Sequence, residues 1–296
     1  MDFLSEIPCY LENVGEHSYS YKVIVTGNVG GLKVRLNENT MKVGNGSLCK
    51  WYLGDNYKTP TRGDTQRAIE KLSDTLHVPM GKATVTRLDL GRAFIMRYPP
   101  EVYLNHFGEL QYTKRLQAAD GLYYTQKKGM QLCFYDKNKE QREHGEPIPE
   151  MYAGRNVLRY EQRYNRRIAA NLKVSKVTGA MLYDEGFYIS LLNLWRDKYN
   201  AIQKINDVSL NFCEMRTKQQ LYRMGVLSLI EKTGGQTQML QQISEAQKRG
   251  ELSKKQAYDL RQVVNDVCKA RSGLTVPNEA IQELDAKIKN AVKYYR

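Results

Sequence analysis

Alternation of apolar and polar residues predicts strands near the start of the chain. Residues 19–26 and 31–36 are rich in β-branched and aromatic side chains, and the glycine-rich link over 27–31 is typical of a hairpin turn. A third short strand is predicted within 47–54, where aromatic residues precede a glycine. We expect these strands to join the later ones in one sheet.

Two predicted helices lie between the predicted strands. Apolar residues recur from Ala68 to Leu76 behind Asp64, which we predict to be the N-cap, and Pro79 ends the helix. A second helix is predicted over 100–108, after a Pro-Pro pair. This order of elements predicts an α+β fold, with a mostly antiparallel sheet and helices packed on one of its faces.

Three further strands each have one apolar face and one face that carries ionisable groups. They are predicted within 84–94, 121–137 and 156–164. Because side chains alternate between the two faces of a strand, residues two apart share a face. We predict that these strands are neighbours and that they gather one set of side chains. The set is Arg87, Asp89, Tyr135, Lys137, Arg159, Glu161 and Arg163.

The C-terminal part of the chain has the period of amphipathic helices and no strand pattern. Five helices are predicted, of which the fourth begins with a Ser253–Gln256 capping box. We therefore predict an α+β domain over 1–175 and an all-helical domain over 176–296. The short turn over 249–252 has helix-turn-helix spacing, so this domain either reads DNA or serves helical packing or oligomerisation.

The charge balance favours a polyanionic partner. The chain has 45 Lys and Arg against 32 Asp and Glu, a net charge of +13. No segment approaches the ~18 apolar residues of a membrane span, and the first residues do not have the pattern of a signal peptide. The five cysteines are scattered and form no CxxC pair, which argues against a disulfide framework. We therefore expect a cytoplasmic protein.

Carboxylates, rather than histidines, are the candidate metal ligands. The four histidines have no ligand spacing. Asp89 and Glu161, on neighbouring strands, suit a hard cation such as Mg²⁺ or Mn²⁺. The alternative is that these carboxylates form ion pairs within the sheet, with Arg87, Arg159 or Arg163.

Tyr135 is a candidate nucleophile at the end of its strand. A phenol has an ordinary pKa of about 10, so forming the phenolate at pH 7 costs about 4 kcal/mol. Lys137, two residues further on, is placed to stabilise charge that develops on an attacked phosphate. The alternative is that Tyr135 only packs against the core.

Three motifs, in this order, resemble those of the replication initiators of the filamentous-phage gene II protein family. They are TRLDLG at Thr86–Gly91, QLCFYDKNKE at Gln131–Glu140 and VLRYEQRY at Val157–Tyr164. The family pattern is a strand with R-[IL]-D, a strand ending in Y-x-K, and then [LV]-R-[FY]-E-x-R. The resemblance covers roughly residues 80–170, and the remainder agrees only in kind.

The resemblance implies a site-specific nickase that starts rolling-circle replication. Tyr135 would attack one phosphodiester, which leaves a 5′-phosphotyrosine link and a 3′-hydroxyl primer, while Lys137 stabilises charge. Asp89 and Glu161 would hold the divalent cation, Mg²⁺ or Mn²⁺. Many rolling-circle nucleases have a paired-histidine metal motif, which this chain lacks, so its metal ligands stay open.

The expected partner is single-stranded or melted origin DNA, together with a host helicase or polymerase. The side chains expected to hold the strand are Arg87, Lys127, Lys128, Arg159 and Arg163. The rival nucleophiles are Tyr124, Tyr160 and Tyr164. Two other functions stay open: a plasmid mobilisation relaxase with the same chemistry, and a non-catalytic protein whose sheet stacks bases. The sequence does not indicate an oligomeric state.

Overall fold

The structure, a computed structural model, describes residues 6–19, 22–205, 207–208, 217–269, 275–276 and 278–294. The strands are β1 (Glu12–Tyr19), β2 (Lys22–Val29), β3 (Leu32–Asn37), β4 (Thr40–Gly44), β5 (Leu88–Met96), β6 (Lys114–Ala118), β7 (Gly121–Thr125), β8 (Met130–Asp136), β9 (Asn156–Tyr164), β10 (Asp207–Val208) and β11 (Thr275–Val276). The helices are α1 (Leu48–Leu53), α2 (Arg62–Leu76), α3 (Pro100–Leu104), α4 (Lys137–Glu143), α5 (Ile168–Asn171), α6 (Glu185–Asn200), α7 (Lys218–Lys232), α8 (Gln236–Lys248), α9 (Lys254–Lys269) and α10 (Glu279–Tyr294).

The α+β class is confirmed, but the N-terminal strands form two sheets rather than one. Strands β1 to β4 pair in sequence order as an antiparallel sheet, which includes the predicted hairpin of β2 and β3. The predicted strand over 19–26 falls partly outside the described residues, at 20 and 21. Val34 and Leu36 alternate into a core that α2 closes with Leu72 and Leu76. This sheet therefore has its own helix and its own core.

The strand predicted within 47–54 is wrong, because this segment forms α1. Ser47 caps the helix by accepting a hydrogen bond from the Lys50 N–H, and Gly54 ends it with φ at 87°. The predicted N-cap of α2 is also wrong. Thr61 is the N-cap, and Asp64 is the other half of a capping box with it.

The second sheet is antiparallel and has the strand order β5-β9-β8-β7-β6. The prediction that the three charged strands are neighbours is therefore confirmed, with β9 between β5 and β8. One face is covered by helices α3, α6 and α10. On that face the rings of Phe134 and Tyr160 stack at 4.4 Å, and Trp195 of α6 stacks on Tyr160 at 4.7 Å.

The helical part forms two groups. Helices α6 and α10 share the hydrophobic core of the second sheet, whereas α7, α8 and α9 enclose a cluster of their own. The capping box at the start of α9 is present, with hydrogen bonds of 2.9 and 3.2 Å between Ser253 and Gln256. The division at 175/176 stays a prediction. Within the described ranges, no helix is long and apolar enough to cross a membrane.

Candidate functional site

The face of the second sheet that lies opposite the helices, here called the polar face, collects the side chains of the three motifs. Antiparallel partners project from the same face of a sheet. The register therefore puts Asp89, Tyr135 and Glu161 on one face, as predicted. The relevant cross-strand pairs are Asp89–Arg163, Gly91–Glu161, Cys133–Glu161 and Tyr135–Arg159.

Glu161 is the centre of an ion triad on β9. Its carboxylate accepts hydrogen bonds from Arg159 Nε at 2.9 Å and from Arg163 Nε at 2.8 Å. Only 8% of Glu161 is exposed. Burial alone would raise the pKa of this carboxyl group, but the two guanidinium groups outweigh burial and hold the pKa at about 2. Glu161 is therefore fully ionised at neutral pH and fully paired.

Gly91 makes room for the triad. It lies opposite Glu161 on β5, and a Cβ atom at this position would lie 2.5 Å from Glu161 Cγ and 3.0 Å from Arg159 Nη2. Any larger residue would therefore require the Glu161 side chain to shift. The glycine of the first motif is therefore required by packing and not by a turn.

Tyr135 belongs to the same network. Its hydroxyl donates a hydrogen bond to Glu161 Oε1 at 3.2 Å, and only 7% of the residue is exposed. Burial, followed by the charge of Glu161, raises the pKa of this phenol well above its ordinary value. In this arrangement Tyr135 holds its proton firmly, and most of its side chain is removed from solvent.

Lys137 does not continue the strand, contrary to the prediction. Strand β8 ends at Asp136, whose carboxylate accepts a hydrogen bond from the Lys139 N–H at 3.0 Å and so caps α4. Lys137 is the first residue of that helix and is 1% exposed. Its ammonium group lies 2.6 Å from Glu140 Oε2, and burial lowers its pKa against the opposing effect of Glu140.

A loop over 54–61, here called the covering segment, lies across one end of the polar face. The Asn56 carbonyl accepts a hydrogen bond from Arg159 Nη1 at 2.9 Å, and Thr59 donates one to the Gly91 carbonyl at 3.3 Å. The Tyr57 ring packs against Ala93 and Val157. The polar face is therefore covered at the Tyr135 end and more open towards Asp89.

The three rival tyrosines lie in the core on the opposite face. The hydroxyl of Tyr124 donates to the Gly108 carbonyl at 2.7 Å, and that of Tyr160 donates to the Trp195 carbonyl at 2.8 Å. The Tyr164 hydroxyl accepts a hydrogen bond from Gln162 at 2.8 Å. All three residues are at most 3% exposed. This geometry offers none of them to a DNA phosphate.

Sequence reasoning missed Tyr123, which lies on the polar face. It pairs with Cys133 across the strands, in the same row as Glu161. Its hydroxyl donates to Asp120 Oδ2 at 2.7 Å, and the residue is half-buried. Strand alternation could have identified Tyr123, because it puts Tyr123 and Tyr124 on opposite faces of β7.

The five side chains predicted to contact DNA differ in whether they already pair with a carboxylate. Arg159 and Arg163 pair with Glu161, and Arg87 pairs with Asp89 at 2.7 Å. Lys127 and Lys128 are exposed, in the turn between β7 and β8. Only these two lysines, of the five, are exposed cations without a partner among the described residues.

Asp89 and Glu161, as arranged, do not fit a metal ion. Both oxygens of Glu161 accept hydrogen bonds from arginines, and Asp89 is paired with Arg87. In the part of the chain that the structure describes, no group of three or more His, Cys, Asp or Glu side chains is placed to hold a metal. This geometry matches the alternative in which the two carboxylates form ion pairs with arginines of the sheet. A divalent cation stays a prediction from the family resemblance.

Comparison with known families identifies the family to which the chain belongs. A family model of phage replication-associated proteins, described as the N-terminal region of the gene II protein, matches residues 17–182. The chain belongs to this family. The match spans strands β2 to β9 and every residue of the polar face discussed above, in agreement with the three motifs. No curated protein matches the chain. Membership in the gene II protein family gives the chain a role in the initiation of replication.

Proposed function

We propose that this member of the gene II protein family starts rolling-circle replication by nicking one DNA strand with Tyr135. One observation carries the proposal: the family match spans the three strands whose polar side chains surround Tyr135. The exposed lysines Lys127 and Lys128 and the net charge of +13 further support a DNA partner. Because the match is to a replication family, it favours replication over plasmid mobilisation.

The step transfers one phosphodiester bond. Tyr135 Oη attacks the phosphorus, the P–O bond to the 3′ oxygen breaks, and a 5′-phosphotyrosine link forms. The phenolic proton passes to Glu161 Oε1, which already accepts the hydrogen bond at 3.2 Å, and the departing 3′ oxygen takes a proton from solvent. Attack by a 3′-hydroxyl on the phosphotyrosine reverses the step and rejoins a strand.

The described arrangement is a resting one, because Tyr135 is protonated and covered. A phosphate reaches its hydroxyl only after the covering segment moves away. The hydrogen bonds from Arg159 to the Asn56 carbonyl and from Thr59 to the Gly91 carbonyl oppose this movement. Lys137, whose ammonium group lies 2.6 Å from Glu140 Oε2, would stabilise the charge that develops on a phosphate bound there.

The test is to incubate the protein with circular single- and double-stranded DNA, with EDTA, Mg²⁺ or Mn²⁺. We expect nicks and SDS-resistant adducts from the wild type and neither from Tyr135→Phe, which keeps the ring and removes one hydroxyl. DNA affinity should stay unchanged in that variant. The metal series tests the predicted divalent cation separately from the tyrosine.

Mass spectrometry of the adduct identifies the nucleophile. A DNA remnant on Tyr123 would keep the chemistry and overturn the assignment to Tyr135. Binding without nicks or adducts, under every metal condition, would instead indicate a non-catalytic DNA-binding protein.

A further inference from the structure

Beyond the polar face, exposed cations cluster at the end of the second sheet where β5 and β8 begin and β9 ends. We propose that this cluster, here called the basic rim, binds the DNA backbone to one side of the nicked phosphate. Its side chains are Lys127, Lys128, Arg166, Arg167, Lys173 and Lys176, all of them exposed.

The rim is built from two segments that the fold fastens together. The Asn165 N–H donates a hydrogen bond to the Gly129 carbonyl at 2.9 Å. The Asn171 side-chain amide donates to the Lys128 carbonyl at 3.2 Å and to the Arg166 carbonyl at 3.0 Å. These contacts hold the β7–β8 turn against the segment that follows β9, so their cations form one surface.

The charge on this surface is uncompensated. The segments over 121–135 and 162–183, which supply all six cations, contain no Asp or Glu. Among the described residues, no carboxylate pairs with any of the six side chains, in contrast to Arg87, Arg159 and Arg163. Unpaired cations on an exposed surface are the groups that release counterions when a phosphate backbone binds.

Backbone strain also marks the rim. Arg167 and Lys173, which flank α5, have φ of 51° and 57°, in the left-handed region that is unfavourable for residues with a Cβ atom. Neither is Gly or Asn, the residues that usually relieve this cost. Strain of this kind persists where the surrounding structure fixes it, commonly at ligand-binding positions.

Strand geometry gives the distance from the rim to the reacting tyrosine. Gly129 and Tyr135 are six residues apart on one strand and its turn, which spans about 20 Å at about 3.4 Å per residue. This length equals roughly six base-pair rises of B-form DNA, at about 3.4 Å each. This distance rests on the proposed function, because it assumes that the scissile phosphate lies at Tyr135. The proposal that the basic rim binds DNA does not need that assumption.

The first test measures binding alone, by fluorescence anisotropy of a labelled duplex of arbitrary sequence in EDTA at several salt concentrations. Arg166→Gln with Arg167→Gln should make the slope of log affinity against log salt shallower by about 2, at about 0.9 per phosphate. The matched control is Lys289→Gln with Lys293→Gln, which removes two exposed cations from α10 on the helix-covered side. An unchanged slope in the rim variant, or an equal change in the control, would refute the proposal that the basic rim binds DNA.

The second test uses substrates trimmed on either side of the nick mapped in the wild type. The affinity difference between the wild type and the rim variant should vanish when the DNA ends within about six nucleotides on one side, and should survive trimming of the other side. Loss on both sides or on neither would overturn the assigned distance. Absence of nicking would count against the proposed function alone, because the first test does not depend on it.

Discussion

Substitution of Glu161 by Gln tests whether the triad on β9 stabilises the sheet. The change keeps the shape of the side chain and removes its charge, so Arg159 and Arg163 lose their common partner. The new amide group also directs N–H donors at guanidinium groups that are themselves donors. We expect the second sheet to be destabilised at neutral pH.

The magnitude follows from the pKa of Glu161. Its value falls from an ordinary 4.5 to about 2 in the folded protein. At about 1.36 kcal/mol per pH unit, this difference contributes about 3 kcal/mol to the free energy of unfolding. Breaking one partner out of a buried ion pair costs about 3–5 kcal/mol in general, so the two routes agree.

The contribution of Glu161 also depends on pH in a defined direction. A carboxyl group with a depressed pKa stabilises the fold at pH values above its unfolded pKa, and the stabilisation disappears as the pH falls towards the folded pKa. The difference between the wild type and Glu161→Gln should therefore be constant above about pH 5.5 and should shrink between about pH 4.5 and pH 2.

The assay is denaturant unfolding followed by tryptophan fluorescence. Trp195 stacks on Tyr160 in the core of this sheet, and a Trp51→Phe background removes the only other tryptophan. The matched control is Asp89→Asn, which removes a carboxylate from an exposed pair with Arg87 and should cost less than about 1 kcal/mol.

Equal unfolding midpoints for Glu161→Gln and the wild type at pH 7 would refute the reasoning. So would a difference that stays constant down to pH 2, because the loss would then not come from the charge of Glu161.

Three further predictions compare residues in contrasting surroundings. Gly91→Ala should lower the free energy of unfolding by about 1–3 kcal/mol, because its Cβ would lie 2.5 Å from Glu161 Cγ, and equal denaturation midpoints would contradict this. Gly225→Ala, in the exposed middle of α7 with no atom within 4 Å, should instead raise it by about 0.5–1 kcal/mol. Burial raises the pKa of the Cys133 thiol to about 12, so iodoacetamide at pH 8 should label exposed Cys9 before Cys133, as mass spectrometry of the native protein would detect.

Patterns within a few neighbouring residues predicted the parts of the fold that depend on such short segments alone. Alternation put Tyr135 and Glu161 on one face, and the capping box at Ser253 gave the start of α9. The same rules failed where two local signals compete. The aromatic residues of 48–53 favour a strand, but Ser47 and the glycine that follows the segment bound a helix. Pairing between strands depends on distant contacts, so the separation into two sheets could not be derived from alternation.

At the end of β8, the sequence contains a helix-start signal that competes with the strand pattern. Asp136 is a good N-cap residue, and as a cap it ends the strand and turns Lys137 into the first residue of α4. The Y-x-K spacing alone suggests a lysine beside the tyrosine on one strand face. Because the capped helix begins at Lys137, this lysine instead forms a salt bridge with Glu140, three residues further along α4. Spacing predicted that the two groups are close but not which partner each one has.

The same limit applies to the triad, and it links stability to the proposed chemistry. On a strand, the pattern Arg-x-Glu-x-Arg puts two guanidinium groups beside one carboxylate, so Glu161 is neutralised by its own strand before any ligand arrives. Tyr135 then donates to a carboxylate whose pKa is about 2, a weak proton acceptor, while its own pKa is raised. The proton therefore stays on the phenol until the network changes. DNA that draws the arginines towards its phosphates would weaken their pairing with Glu161 and make it a stronger base at the moment when substrate is bound.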